Sequence, residues 1–234
     1  MSKNIAIVLS GGVGSRMGSD RPKQYLEIEG KPIIAHAVQT FAAHPRIDAL
    51  VIAVAPEWED YVRDLFAVAS TPIYYAPAGE TRQYSIFNAL EAAERAGYGG
   101  DDIVIVHDAA RPFVSRELID RCIDAVAEGY DGALPVLPVK DTIYQSADGV
   151  SIGNLLPRAQ LFAGQAPESF RLVPYLQLHR QTPREELLLI NGSTELAYIA
   201  RWNVKLIEGD ERNFKITTPE DITRMVQTLH HLVS

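Results

Sequence analysis

Apolar positions along the chain fall into two alternating patterns. Short, nearly continuous apolar runs rich in β-branched residues cover 5–9, 49–55, 72–75 and 103–106, as expected for strands. Between them, segments 33–43, 57–68, 82–95 and 116–127 carry apolar residues at helical spacing. Buried strands alternating with amphipathic helices predict a parallel sheet covered on both faces. Ligands of such sheets bind beyond the carboxyl ends of the strands. The loops after Leu9, Ala76 and Val106 are therefore expected on one rim.

The pattern changes at 140–157, "KDTIYQSADGVSIGNLLP", where apolar and polar residues alternate around Ala147-Asp148-Gly149. Asp-Gly between two such runs is a hairpin signal. A two-stranded ribbon is marginal alone, so this one is expected to pack against a second subunit. Near the end, Thr218 as N-cap, Pro219 at the first helical position and Asp221 near a capping-box position predict a closing helix. No internal repeat or flexible linker interrupts the chain. The expected fold is α/β: a single domain with a Rossmann-like, doubly wound, mostly parallel sheet and a protruding β-ribbon arm.

Composition narrows the partners. With 234 residues, 47% of them apolar, one good-sized core can form. A formal charge of −8 argues against general attraction to nucleic acid or an anionic membrane, which need a cationic field. The single cysteine, Cys122, can form no internal disulfide and lies in a helical apolar pattern, where a buried, inert thiol is expected. The first apolar run is too short for a signal sequence, and no stretch approaches the roughly 20 apolar residues of a membrane span. A cytoplasmic enzyme is expected.

Against this acidic background the first rim loop is locally basic. Between Ser10 and Lys23 lie Gly11, Gly12, Gly14 and Gly18, with Arg16 and Arg21. Glycines bring backbone N–H groups close to an anion, and successive N–H groups make a concavity for it. The chain has no Gly-Lys-Ser or Gly-Lys-Thr, so a P-loop is excluded. A dinucleotide fingerprint begun at Gly12 would need a small residue where Met17 stands. What remains is a cationic glycine loop that holds polyphosphate by another geometry.

The second rim loop, "PAGETRQYSIFNAL", offers Gly79, Arg82 and Ser85 at a helix start, the last two on one face. In the third, "VIVHDAARPFVS", Asp108 follows an apolar strand, where a carboxylate can hold Mg2+ against phosphate oxygens, and Arg111 lies just beyond. His107 has no partner cluster at metal-ligand spacing and reads as a packed side chain.

The glycine loop with "PKQY", then "GETRQYS", "HDAARPF", "PVKDT", "QAPESF" and "NFKITTPEDI", in this order over essentially the whole chain, resembles the 2-C-methyl-D-erythritol 4-phosphate cytidylyltransferase family and its sister ribitol-5-phosphate cytidylyltransferases. The resemblance implies CMP transfer from CTP to a polyol phosphate, with Mg2+ as cofactor and a homodimer joined through 140–157. Ser10, Gly11, Gly12 and Gly14 would offer backbone to the triphosphate, while Arg16 and Lys23 would meet its charge. Gly79, Arg82 and Ser85 would recognise cytosine and ribose. Asp108 would hold the metal, with Ala109 and Arg111 beside the second substrate. Lys215 would be a phosphate-binding cation, Arg158 would clamp the incoming phosphate, and Thr142 matches a ribbon residue that reaches the neighbouring subunit's site. Without the resemblance, Arg158 and Lys215 read as surface residues in exposed ion pairs.

Two segments depart from the family. Ala166-Pro167-Glu168 stands where Thr-Pro-Gln is usual, and Asn191-Gly192 where the methylerythritol enzymes carry Thr-Asp. Both bear on the polyol pocket, whose hydroxyls would lack partners unless Asn191, Ser193 or Thr194 supplies them. CTP is thus the firmer expectation. Methylerythritol phosphate comes first among acceptors, with ribitol 5-phosphate as the alternative. A sugar-1-phosphate nucleotidyltransferase and a non-catalytic nucleotide sensor are further readings. Asn191-Gly192-Ser193, although a glycosylation pattern, reads as a turn at the pocket edge.

Overall fold

The computed structural model describes residues 2–12 and 21–233. Three helices lie where the sequence pattern predicts them: α1 (Ile33–Ala42), α3 (Arg82–Arg95) and α4 (Arg116–Ala127). The 57–68 segment instead splits into a 3-10 turn at Pro56–Trp58 and a shorter α2 (Glu59–Leu65). Val62 and Phe66 are buried and Trp58, Tyr61 and Leu65 pack against the core beside them, whereas Val68 is 97% exposed, so nothing beyond Phe66 holds another helical turn together.

The four predicted strands are β1 (Asn4–Ser10), β4 (Ala49–Val54), β5 (Ile73–Pro77) and β6 (Ile103–Asp108). A small hairpin of β2 (Glu27–Ile28) and β3 (Lys31–Pro32) precedes α1. β5 runs two residues beyond its predicted end because its ladder continues to Pro77 opposite Val54. All four lie parallel in the order β5-β4-β1-β6.

Alternate residues of these strands feed two cores. Ile5, Ile7, Val51 and Val106 pack with Ile86 and Leu90 of α3, and with Tyr175 and Leu176 of α5 (Leu172–Gln181). Ala6, Val8, Ile52 and Ile105 pack with Val38 and Phe41 of α1 and with Ile119 and Ile123 of α4. Both faces are dry, which is why the strands read as continuous apolar runs rather than alternating ones. Cys122 is buried as expected, and burial pushes its thiol up, keeping it protonated.

Beyond β6 the sheet ceases to be parallel. β7 (Gly132–Pro138) pairs in parallel with β12 (Val204–Glu208) on one side. On its other side run two reversed strands, β10 (Phe162–Gly164) and β11 (Glu168–Arg171), and β11 fills the space between β6 and β7. Residues 139–161 leave the sheet and carry the ribbon, β8 (Tyr144–Gln145) against β9 (Asn154–Leu155). Its turn is wider than a two-residue hairpin. Asp148 accepts hydrogen bonds from the backbone of Val150 (2.9 Å) and Ser151 (2.8 Å), and Gly149 takes φ +72°.

The remaining helices are α6 (Arg184–Leu187), α7 (Ser193–Ile199) and α8 (Pro219–Val233). α8 starts where predicted, with Asp221 accepting from the backbone N–H of Thr218 at 2.9 Å. Its Met225 closes a small core with Ile33, Phe214 and Ile216, which packs the segment bearing Lys215 against the body.

Candidate functional site

β1 is where the strand order turns, since the chain leaves it for β4 on one side and later returns as β6 on the other. Such a switch point opens a crevice at the carboxyl ends. The Ala109 N–H donates to the Leu9 carbonyl at 3.0 Å, which locks the third rim loop to the end of β1.

The first loop is held from behind by a side chain outside it. Gln24 donates to the carbonyls of Ser10 and Gly12, both at 2.8 Å, and the Tyr25 hydroxyl sits 2.8 Å from Ser10 Oγ. Tyr25 in turn stacks on Trp58 at 4.7 Å between ring centres. The Ser10 and Gly12 carbonyls are thus turned onto Gln24, which fixes the backbone at 10–12. Lys23 opens the 3-10 turn Lys23–Tyr25 that supplies this support. Gly14 and Arg16 lie outside the described residues.

A Cβ on Gly11 would stand 2.3 Å from the Ala78 Cβ and 3.8 Å from Ser85 Oγ, so the first and second loops touch. The second loop is internally braced. Ser85 Oγ accepts from the Gly79 N–H and donates to the Thr81 carbonyl, each at 3.0 Å, while Thr81 caps α3. The Ser85 hydroxyl thus shapes the turn at Gly79, where a Cβ would meet Tyr84 at 2.3 Å.

The third loop carries the electrostatic centre. Asp108 is 8% exposed and ringed by cations: Arg82 Nε lies 3.2 Å from Oδ1, while Lys215 Nζ at 2.9 Å and Arg111 Nε at 3.6 Å face Oδ2. Burial alone would raise its pKa, but Arg82, Lys215 and Arg111 outweigh it and hold the carboxyl well below the usual range. Arg82 also donates to Ser193 Oγ at 2.5 Å and reaches Glu168 Oε1 at 3.4 Å. Glu168 is anchored by the N–H (2.7 Å) and hydroxyl of Thr194. Arg111 donates to the Asn213 carbonyl at 2.7 Å, and Asn213 Nδ2 donates to the Ala166 carbonyl at 2.6 Å. Three cations against two carboxylates leave one positive charge in excess within this cluster.

His107 is packed, as its lack of partners predicts. It is fully buried, its Nε2 is 2.9 Å from the Arg111 carbonyl, and burial pushes its pKa down to about 4.

The structure therefore brings Ser10, Gly11, Gly12, Gly79, Arg82, Ser85, Asp108, Ala109, Arg111 and Lys215 to one rim. Lys215 is no surface cation, since it ends on a buried carboxylate. Three expected residues are not joined to this cluster within the chain. Arg158 donates to the Lys140 carbonyl at 2.9 Å at the base of the ribbon, and Thr142 is exposed on the ribbon. Asn191 is exposed, and its amide donates to the Leu189 carbonyl at 3.2 Å. Conversely, Gln24, Glu168 and Asn213 escaped the sequence reading as site residues. Gln24 sits inside the quoted "PKQY", and Glu168 was visible as a departure. Asn213 acts through main-chain partners that only the tertiary structure supplies.

The family model described as 2-C-methyl-D-erythritol 4-phosphate cytidylyltransferase (IspD) matches residues 4–230. The chain belongs to this family. A ribitol-5-phosphate cytidylyltransferase of Streptococcus agalactiae is 35% identical over 222 residues, 93% of this chain and 92% of its own. A 2-C-methyl-D-erythritol 4-phosphate cytidylyltransferase of Geobacillus thermodenitrificans is also 35% identical, over 221 residues, 93% of this chain and 92% of its own. The solved structure of the Francisella tularensis 2-C-methyl-D-erythritol 4-phosphate cytidylyltransferase superposes with a TM-score of 0.81 at 25% identity, covering 96% of this chain and 98% of that one. As an IspD-family member the chain is a CTP-dependent cytidylyltransferase. Among the described residues, no helix is long and apolar enough to cross a membrane.

Proposed function

We propose that this IspD-family protein transfers CMP from CTP to 2-C-methyl-D-erythritol 4-phosphate and releases pyrophosphate. The carrying observation is the convergence of Arg82, Arg111 and Lys215 on Asp108, beside the glycine loop. In the reaction an acceptor phosphate oxygen attacks the α-phosphorus in line, a new P–O bond forms, and the bond to the β-phosphate oxygen breaks. Two anions must meet while charge builds on the leaving group, so positioning and charge stabilisation do most of the catalysis. In this reading the glycine loop takes the triphosphate, Arg16 and Lys23 neutralise it, and Arg111 and Lys215 draw in the acceptor phosphate. Gly79, Arg82 and Ser85 form and brace the surface on which cytosine and ribose rest.

Among the described residues no group of three or more His, Cys, Asp or Glu converges as a metal cage. Mg2+ suits such a site, because it accepts one protein carboxylate and takes its other oxygens from phosphates and water. Asp108 would supply that carboxylate. The ion would shield the triphosphate and polarise the phosphoryl oxygens.

Residues 1–234 act in this reading as one nucleotidyltransferase unit in a homodimer. Tyr144, Val150, Ile152 and Leu155 of the ribbon are 56%, 90%, 70% and 58% exposed, apolar area that a second copy would cover. That pairing would carry Thr142 and Arg158 to a neighbour's rim. Ribitol 5-phosphate is the second reading, favoured by the equal identity of the chain to a relative of that name.

The test is CMP transfer by the purified protein from CTP and Mg2+ to each polyol phosphate, read as pyrophosphate release. Turnover with methylerythritol phosphate at least tenfold above ribitol 5-phosphate supports the first reading, and the reverse order supports the second. Silence with both defeats the proposal.

A further inference from the structure

Next to the loop that carries Arg111, and lined by the residues 112–117 that follow it, lies a groove of about 650 Å3 between α1, the start of α4, Arg212 and the end of α8. Its volume is in the range of small-molecule sites. The catalytic reading uses none of its lining residues.

Three features of its wall call for an anion. Lys31 is half-buried and forms no ion pair among the described residues; burial alone lowers its pKa. Arg116, at the first turn of α4, makes only a long 3.5 Å contact to the Ala43 carbonyl. His36 lines the same groove, and its Nε2 is buried without a hydrogen-bond partner. Lys31, the exposed Arg116 and His36 line one groove, and of their polar atoms the buried His36 Nε2 is the one whose missing partner costs free energy, so an anion held by the two cations would also offer it an acceptor. They stand in a chain with 30 acidic and 22 basic side chains, where acids to pair them are plentiful. The positive end of α4 points to the same place. Of the other charged lining groups, Arg212 is already paired with Asp210, and Glu117 is the one carboxylate.

The groove shares its walls with the rim. Pro112 and Phe113 directly follow Arg111, and Arg212 directly precedes Asn213, whose carbonyl holds Arg111. The Phe113 and Phe214 rings pack at 5.7 Å, and the Ile216 N–H donates to the Ala110 carbonyl at 2.8 Å. Arg111 and Lys215 are thus carried by the same two segments, 110–117 and 210–216, that wall the groove.

We propose that this groove is a second anion site, for a small phosphate-bearing molecule held by Lys31, Arg116 and His36, and that its occupancy alters the Arg111–Asp108–Lys215 cluster. The ligand is a phosphate monoester or free phosphate, and it regulates rather than reacts.

The probe is inorganic phosphate titrated into the full chain, with backbone amide shifts followed residue by residue. Saturable shifts at Thr40, Ser115 and Arg116 are expected. They should weaken by roughly tenfold in a Lys31→Ala/Arg116→Ala double variant, which removes two charge-assisted contacts. Both residues lie at the groove surface, so the double variant should melt like the parent. Linear shifts, an unchanged titration in the double variant, or shifts confined to residues 79–85 and 108–111 overturn the site. In the parent, a small phosphate-bearing ester against free phosphate distinguishes the two ligand sources by which saturates first. Phosphate should also change the rate of CMP transfer, read chromatographically, more in the parent than in the double variant. Equal responses overturn the coupling.

Discussion

Arg82 Nε and Asp108 Oδ1 meet at 3.2 Å although they belong to strands three places apart in the sheet, with Arg82 opening the helix after β5 and Asp108 closing β6. The contact spans the ends of β4 and β1 and ties the second rim loop to the third. Replacing Asp108 by Ala would leave Arg82, Arg111 and Lys215 repelling one another in a largely buried setting. Destabilisation of about 3–5 kcal/mol is expected, measured by denaturant unfolding. A loss below about 1 kcal/mol would mean that the three cations relax to solvent.

Lys215→Ala should lower turnover about a hundredfold, the effect of deleting one preorganised charge from a phosphoryl-transfer site, with far less effect on folding. Steady-state kinetics with CTP and the preferred acceptor would show it. An unchanged kcat would assign Lys215 a structural role only.

Gly11→Ala tests the contact between the first two loops. The added Cβ would fall 2.3 Å from the Ala78 Cβ, well inside van der Waals contact, so one loop must move. A cost of about 1–3 kcal/mol is expected, together with loss of the CTP-induced rise in melting temperature. A variant that keeps the full thermal shift would show that the loop adapts.

His107 and His179 give a pH test. Both are buried, at 0% and 1% exposure, and burial pushes each pKa down to about 4. Their unfolded values lie near 6.5, so between about pH 6.5 and 4 the unfolded chain takes up protons that the native one refuses. Stability should therefore fall on acidification, by about 2–3 kcal/mol for the pair from pH 7.5 to 5.5. Asp108 does not contribute in that window, because its ionised form persists far below it. Denaturant melts at both pH values would settle the slope, and a flat profile would mean that these imidazoles take up protons without unfolding.

The ribbon test is mutational. Val150→Ser/Ile152→Ser/Leu155→Ser should shift the protein from dimer to monomer in sedimentation, with little change in melting of the chain itself, since these side chains are largely exposed within it. A parent that is already monomeric would remove the ribbon's proposed role.

The parallel half of the fold was legible because its residues carry their environment with them. Ile5 to Val8 are apolar on both faces, and only a sheet covered on two sides makes that combination stable. Asp108 was legible for the opposite reason: it is a charge placed directly after such a strand. The reversed strands were not legible. "ESFR" is only four residues long, and its first residue is a carboxylate that belongs in the interior solely because Arg82 and Thr194 meet it there. Gln24 carries no such signal, since a glutamine's two donor bonds to Ser10 and Gly12 depend on how the chain folds back.

The reversed course of β11 has one more consequence. Because it runs against β6, its opening residue Glu168 stands beside Val106, at the same end as Asp108. The excursion of 139–167 therefore departs from and rejoins the framework near the rim, clamped by ladders at either margin. Held at both ends in this way, the segment can change in length or sequence between its anchors without breaking the parallel ladders of β5, β4, β1 and β6.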